Sequence, residues 1–259
     1  MIKIIKTSVK KKAKKRSIKT YINRTILILS AIFVCLCVSF IFKEIFKIRN
    51  IIIEGKTRYN YEEILAASTL KKNENLLFFS EDTIKEKVTT SLPFVENIKI
   101  SRNFPGKITL EIKEAKPWAT VDFNKLKVLL NTSFKVLDLG QTIEENLTKA
   151  EGIEILNPKP GYKVNFEDLK KEETLKTLIA SLKTNNLEKI TTIDLKDENQ
   201  IFFLYDNRIK VILGNAEKLE NKLQTAQIIL EEQLTEESGE LDLKWFLKNG
   251  ESLFRKNRT

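Results

Sequence analysis

The pattern of hydrophobic and polar positions separates one apolar N-terminal segment from a long, mixed remainder. Residues 26–42, ILILSAIFVCLCVSFIF, contain no charged side chain, and a run of this length is at the short end of what a membrane-spanning helix needs. Arg24 and Lys43 flank the run, and their aliphatic stems can reach back to the headgroups. No small-residue cleavage site follows the run, as a removed signal peptide would require. The pattern therefore predicts an uncleaved transmembrane helix over residues 25–43.

Beyond residue 45 the hydrophobic period changes from that of a strand to that of a helix and back. Asn60, followed by Glu63, favours a capped helix, and Ile108, Leu110 and Ile112 alternate with polar residues as in a strand that has one wet face. The predicted order is strand 46–54, helix from Asn60, helix from Ser80 to Pro93, strand 95–102 and strand 107–113. This order predicts a small α+β module in which two helices cover one face of a three-stranded sheet.

Past Pro117 short strands alternate with two amphipathic helices. Strands are predicted within residues 118–139 and 190–214, with a loop at 157–164 and a terminal hairpin around Asn249 and Gly250. The apolar sides of the helices are predicted to be Leu169, Leu175, Leu178 and Leu182 in helix 166–182, and Leu219, Leu223, Ala226 and Leu230 in helix 218–232. We predict a mixed, mainly antiparallel β domain with two helices, built as a meander whose last strand lies at a sheet edge.

Positive charge is confined to the N-terminal tail. The chain carries 45 basic and 35 acidic residues, and the formal net charge of +10 equals the basic content of residues 1–24, which contain no acidic residue. The positive-inside rule then places residues 1–24 in the cytoplasm and the part beyond residue 43 outside, as a single-pass type II membrane protein. The residues assigned to this topology signal are Lys10, Lys11, Lys12, Lys14, Lys15, Arg16, Lys19 and Arg24. Since the remainder is charge-balanced, nucleic-acid binding is not expected.

Histidine and the common catalytic motifs are missing, although carboxylate chemistry remains open. The chain contains no histidine, which removes the commonest general base and the commonest zinc ligand. Both cysteines, Cys35 and Cys37, lie in the predicted span, and neither a nucleophile motif nor a glycine-rich phosphate loop is present. We therefore expect no enzyme activity, no catalytic residue, no metal site and no cofactor.

Sequence motifs in the module and in the segment after it point to one family. Directly after the predicted span, the module opens with IIIEGKTRYNYEEI and closes with PFVENIKISRNFPGKITLEIKEAKPWA. The marks shared with the family are Ile51 with Gly55, Pro93 with Val95, Arg102 with Pro105, and Glu114 with Pro117. The module resembles the POTRA domain of the bacterial cell-division protein family FtsQ/DivIB. The later stretches VILGNAEKLENKLQTAQIIL and LDLKW resemble the β domain of the same family, so the resemblance covers almost the whole chain.

The resemblance implies four regions. They are a cytoplasmic basic tail (1–24), a transmembrane helix (25–43), a POTRA domain (46–115) and a β domain with a C-terminal edge strand (116–259). It implies a non-enzymatic divisome scaffold in the cell membrane, enriched at the division septum, which helps to regulate septal peptidoglycan synthesis. The implied partners are FtsL-type and FtsB/DivIC-type single-span proteins, with septal wall-synthase components as further candidates. In this family an FtsB/DivIC-type partner adds a strand beyond the LDLKW-like motif, and the residues expected there are Leu241, Trp245, Phe246, Leu247, Lys248 and Phe254.

Two other classes of function remain open at this point. A POTRA-type adaptor or chaperone would receive extended exported polypeptides by strand addition, although no outer-membrane barrel segment follows the module here. A membrane-anchored cell-wall enzyme is disfavoured by the missing histidine and nucleophile motif.

Overall fold

A computed structural model of the chain describes residues 7–141, 147–234, 236–246, 250 and 252–256, with side chains from residue 21 onward and without that of residue 233. The chain forms two compact units. The first contains residues 1–54, 70–81 and 100–110, and the second contains residues 55–69, 82–99 and 111–259. The βααββ module therefore contributes segments to both units.

The first unit begins with a continuous helix, α1 (Thr7–Ile45), of 39 residues. Its section Tyr21–Ile45, 25 residues, is long and apolar enough to cross a membrane, since a helix rises about 1.5 Å per residue and a bilayer core is about 30 Å thick. The basic tail thus continues in the same helix as the apolar segment.

The βααββ order of the module is as predicted. Its elements are β1 (Asn50–Glu54), α2 (Tyr61–Ser68), α3 (Glu81–Ser91), β2 (Val95–Asn103) and β3 (Lys107–Glu114), and the strands form a sheet in the order β1-β3-β2. The capping box is present, because Asn60 Oδ1 accepts the Glu63 N–H at 2.9 Å and Glu63 Oε2 accepts the Asn60 N–H at 2.8 Å. The predicted alternation in β3 is also confirmed, since its three isoleucine and leucine side chains are buried.

The β domain is built on a nine-stranded mixed sheet within the second unit. Its strands are β4 (Ala119–Phe123), β5 (Leu126–Leu130), β6 (Val136–Gly140), β7 (Thr148–Glu151), β10 (Ile190–Asp194), β11 (Ile201–Tyr205), β12 (Ile209–Gly214), β13 (Gly239–Asp242) and β14 (Leu253–Lys256). The spatial order is β14-β13-β12-β11-β10-β7-β4-β5-β6. A separate antiparallel pair, β8 (Ile155–Leu156) and β9 (Asn165–Phe166), lies before the first helix of the β domain.

The predicted meander is wrong in two places. The unpredicted strand β7 lies between β4 and β10 and runs parallel to both. After the second helix of the β domain, β13 runs parallel to β12, because the helix carries the chain back to the end of the sheet at which β12 began. The remaining pairings of the sheet are antiparallel.

Two helices, α4 (Leu169–Thr184) and α5 (Leu219–Ile228), share one apolar core with the sheet, and a π-helical turn, Ile229–Gln233, extends α5. All four predicted inward residues of the second helix are buried. In α4 the prediction of Leu169 as inward is wrong, since this side chain is 73% exposed. The Asp168 side chain accepts the N–H groups of Lys170 and Lys171 and so starts the helix at Leu169 rather than at Phe166. The first helical position therefore points to solvent.

Candidate partner-binding edge

The final strand, β14, lies at one edge of the nine-stranded sheet. It pairs antiparallel with β13, and Leu241 lies opposite Phe254 while Asp242 lies opposite Leu253. Residues 243–252 connect these two strands. Gly250 in this loop has a left-handed φ of 72°, and Asn249, the other predicted turn residue, lies outside the described residues.

The outer side of β14 presents backbone groups that another chain can complete. Gly239 and Leu243 donate their N–H groups toward β12, at 3.1 and 2.9 Å from the accepting carbonyl oxygens. The N–H and C=O groups of successive residues in a strand point to opposite sides. The even-numbered residues of β13 therefore point these groups at β14, where they hydrogen-bond with the residues opposite them. Phe254 and Lys256 oppose odd-numbered positions. Their N–H and C=O groups therefore point away from the sheet, on the side where no described strand lies.

The side chains of this edge divide between the core and the surface. Leu241 and Leu243 are 1% and 0% exposed within the main core, and Phe254, opposite Leu241, packs partly against the same core. Leu241 was expected to bind a partner, but its burial makes it part of the layer that supports the edge instead. Leu253 alternates to the other face and is 51% exposed.

The segment after β13 turns sharply and exposes a tryptophan. Asp242 Oδ1 accepts the Lys244 N–H at 3.0 Å, and the Phe246 N–H donates to Leu243 O at 3.3 Å. Phe246 packs partly against the core, whereas Trp245 is 58% exposed. These contacts fix the backbone on both sides of Trp245, and the indole ring lies at the surface.

A glycine allows β14 to approach β13 closely. A Cβ atom on Gly239 would lie 2.2 Å from the Arg255 carbonyl oxygen and 3.0 Å from the Phe254 ring. Beside it, Lys256 Nζ lies 2.7 Å from Glu237 Oε2, a surface ion pair of small energetic value. Neither Gly239 nor Leu253 was predicted from the sequence to belong to this edge. The alternation of Leu241 and Leu243 was the available signal, since it fixes which residues of an adjacent strand face outward.

The other predicted site residues lie largely outside the described residues. Leu247 and Lys248 are among these, as are the side chains of Lys10 to Lys19, although the backbone of that stretch belongs to α1. Arg24 is described and exposed on α1. The proposed roles of all these residues stay predictions.

The comparisons with known proteins agree with this architecture. Residues 46–115 match the family model described as POTRA domain, FtsQ-type. The cell division protein DivIB of Clostridium acetobutylicum is 25% identical over 215 residues, which cover 82% of this chain and 85% of that protein. DivIB of Clostridium botulinum is 28% identical over 227 residues, covering 86% and 85%. Over most of its length the chain is therefore similar to DivIB proteins, and its module matches the FtsQ-type POTRA family.

One solved structure of a family member also aligns with the chain. It is the major extracytoplasmic domain of the trans isomer of DivIB from Geobacillus stearothermophilus, at 12% identity and a TM-score of 0.27, covering 45% of this chain and 93% of that chain. Within the part of the chain that the structure describes, α1 contains one section, Tyr21–Ile45, that is long and apolar enough to cross a membrane.

A buried lysine joins the POTRA segments of the second unit to the β domain. Lys135, 8% exposed, donates from Nζ to the carbonyl oxygens of Thr89 and Val95 at 2.6 and 2.7 Å. Burial lowers its pKa to about 8, and the nearby Glu96 carboxylate opposes this shift. This contact was not predicted from the sequence, because one lysine inside a polar turn carries no pattern that indicates burial.

Replacing Lys135 with methionine should cost more stability at pH 10 than at pH 7. The pKa of Lys135 is about 8 in the folded chain, against an ordinary lysine value of 10.5. Between these two pH values the folded chain therefore binds fewer protons than the unfolded chain. The stability contributed by the shift is present above the unfolded pKa and is lost as pH falls through the folded pKa. The methionine variant lacks the two hydrogen bonds of Lys135 at every pH. Its side chain does not titrate, so its stability does not rise with pH as that of the original chain does. We expect the loss to grow by about 2 kcal/mol from pH 7 to pH 10.

Urea unfolding of the full chain in micelles, at both pH values, measures this difference. The matched control is Lys189→Met, since Lys189 is an exposed lysine, and its effect should be small. A loss of stability for Lys135→Met that is the same at pH 7 and at pH 10 would show that the ammonium group is not desolvated at the junction.

Proposed function

We propose that the chain is a non-enzymatic, single-pass scaffold of the division machinery that binds other division proteins outside the membrane and helps to regulate septal peptidoglycan synthesis. The observation that carries the proposal is the FtsQ-type POTRA match in a chain whose relatives over most of its length are DivIB proteins. The absence of histidine from the sequence supports a role without catalysis.

The edge strand β14 supports a specific mode of partner binding. Its outward backbone groups can pair with an extended segment of an FtsB/DivIC-type protein, and Trp245 can bury its exposed ring against that segment. FtsL-type proteins and septal wall-synthase components are the other partners that the family resemblance implies. Strand addition of this kind supplies affinity through the main chain and specificity through alternate side chains.

The basic tail supports one orientation. Residues 1–24 would lie in the cytoplasm and both exterior domains outside, because clustered lysines resist translocation. The charge of the remaining chain is balanced, so no competing signal opposes this orientation.

Fluorescence imaging in dividing cells tests the proposal. A fluorescent protein fused before Met1 is expected to label a ring at the division septum, and a C-terminal reporter that works only outside the cytoplasm controls for orientation. A signal that stays evenly spread over the envelope throughout the cell cycle would contradict the division role. Capture of unfolded exported chains by the exterior domains would instead favour the adaptor function.

A further inference from the structure

Exposed apolar side chains occur on two loops of the first unit. Leu77 and Phe78 lie on the loop that precedes α3 and are 39% and 81% exposed, and Phe104, in the turn between β2 and β3, is 57% exposed. We call these three residues the juxtamembrane cluster. Leaving such side chains in water is unfavourable, so their exposure indicates an apolar environment that the isolated chain does not provide.

The β2–β3 turn lies against the end of the apolar helix. Phe46, immediately after α1, lies 5.5 Å from Phe42 of the last helical turn and also 5.5 Å from Phe104, measured between ring centroids. Phe104 is therefore separated from the membrane-spanning section of α1 by a single aromatic ring.

The second loop is bonded to the same exit segment through its backbone. The Leu76 N–H donates to Phe46 O at 2.7 Å, the Ile48 N–H to Glu74 O at 2.8 Å, and the Asn73 N–H to Ile48 O at 2.9 Å. Leu76 is completely buried. The two exposed residues that follow Leu76 therefore lie on a loop that is hydrogen-bonded to the chain within three residues of the helix end.

A glycine holds the turn and the exit segment together. The Arg49 N–H donates to Gly106 O at 2.7 Å, and a Cβ atom on Gly106 would lie 2.6 Å from Lys47 O. The Arg49 side chain passes over the glycine, 3.2 Å from that position. Both loops are thus attached to the first residues that follow the span.

The charge of these segments suits an anionic lipid surface. Residues 43–49, 71–78 and 103–107 carry six basic side chains and two acidic ones. The basic residues are Lys43, Lys47, Arg49, Lys71, Lys72 and Lys107. Apolar tips surrounded by basic residues are the composition with which interfacial segments bind headgroups.

We propose that the juxtamembrane cluster inserts into the headgroup region of the bilayer that α1 spans, and that the surrounding basic residues contact lipid phosphates. The ligand is the lipid surface itself. This contact would hold the first unit against the membrane by its loops as well as by the helix. The proposal rests on the membrane-spanning role of α1 and not on any division partner, so its failure would leave the septal role untouched.

Depth-dependent quenching in vesicles tests the proposal on the full chain. In a Cys35→Ser, Cys37→Ser background, Phe78→Cys is labelled with an environment-sensitive fluorophore and reconstituted in phosphatidylcholine vesicles with and without phosphatidylglycerol. We expect quenching by a nitroxide near the headgroups to exceed quenching by one deep in the acyl chains. Phosphatidylglycerol in the vesicles should increase the quenching by the nitroxide near the headgroups. The matched control is Leu169→Cys, an exposed leucine of the second unit, and the Phe78 site should be quenched at least about twofold more strongly.

A second variant separates insertion by the loops from insertion driven by the label. Adding Leu77→Ser and Phe104→Ser removes the other two apolar tips, and quenching at position 78 should then fall toward the control. Equal quenching at positions 78 and 169, or no change in the triple variant, would overturn the proposal. So would quenching that appears only after a division partner is added, since the cluster would then belong to a protein interface.

Discussion

Alanine at position 161 is expected to destabilise the second unit by about 3 kcal/mol or more, because a left-handed backbone and a direct clash act together. Gly161 has a φ of +89°, and a Cβ atom there would lie 1.9 Å from the carbonyl oxygen of Thr90 at the end of α3. The clash is with backbone, so no side chain can rotate away from it. Relief requires the loop at 157–164 to separate from α3.

Thermal unfolding of the full chain in micelles measures the loss, with Gly250→Ala as control. Gly250 has a φ of +72° but no atom within 4 Å of the Cβ position, so its replacement should cost only the backbone strain of about 1 kcal/mol. The difference between the two variants isolates the contact with Thr90. Equal losses would mean that α3 and the loop do not touch in solution.

The same junction contains several polar contacts that act with Gly161. Asn131 donates to Glu96, and the Ser133 hydroxyl lies 3.3 Å from the same carboxylate. Lys135 contributes its two carbonyl contacts nearby. A clash at Gly161 is therefore expected to weaken these hydrogen bonds as well as the packing. The bonds of such a network strengthen one another, so breaking one also weakens the others.

Local patterns predicted the elements of this chain better than their arrangement. The capping residue Asn60 and the alternation in β3 act over a few neighbours, so the sequence alone carries them. The positions of β7 and β13 depend on parallel pairing between distant segments, for which short-range hydrophobic alternation contains no signal. For this reason the mixed, mainly antiparallel character of the domain was predicted correctly, whereas the strand order was wrongly predicted as a meander and the parallel positions of β7 and β13 were missed.

The candidate site shows the same limit. Its location near the end of the chain came from the family resemblance, yet that resemblance did not separate buried from exposed residues. Leu241 lies in the core, whereas Leu253 faces outward, because register determines which face each residue occupies. The burial of Lys135 could not be predicted from the sequence either, since a charged residue in a turn is ordinarily solvated.

If the proposed FtsB/DivIC-type partner binds at β14, replacement of Trp245 by alanine is expected to weaken its binding by at least about thirtyfold, the equivalent of about 2 kcal/mol for a buried aromatic anchor. The indole ring is 58% exposed without a partner, so a large part of its surface is available for burial at an interface. Its neighbours Asp242 and Phe246 fix the turn that carries it. The fold should therefore tolerate the change.

Titration of the full chain in micelles with the exterior segment of the partner measures this loss, with thermal unfolding followed in parallel. Phe78→Ala is the matched control, because Phe78 is an even more exposed aromatic residue, 81%, in the first unit, and its loss should leave this affinity unchanged. A chain ending at Gly239 lacks β14 and most of β13 and should not bind, since no outward edge of β14 would remain. Unchanged affinity of Trp245→Ala would remove the indole from the interface. A marked fall in its melting temperature would instead assign the ring to packing within the chain.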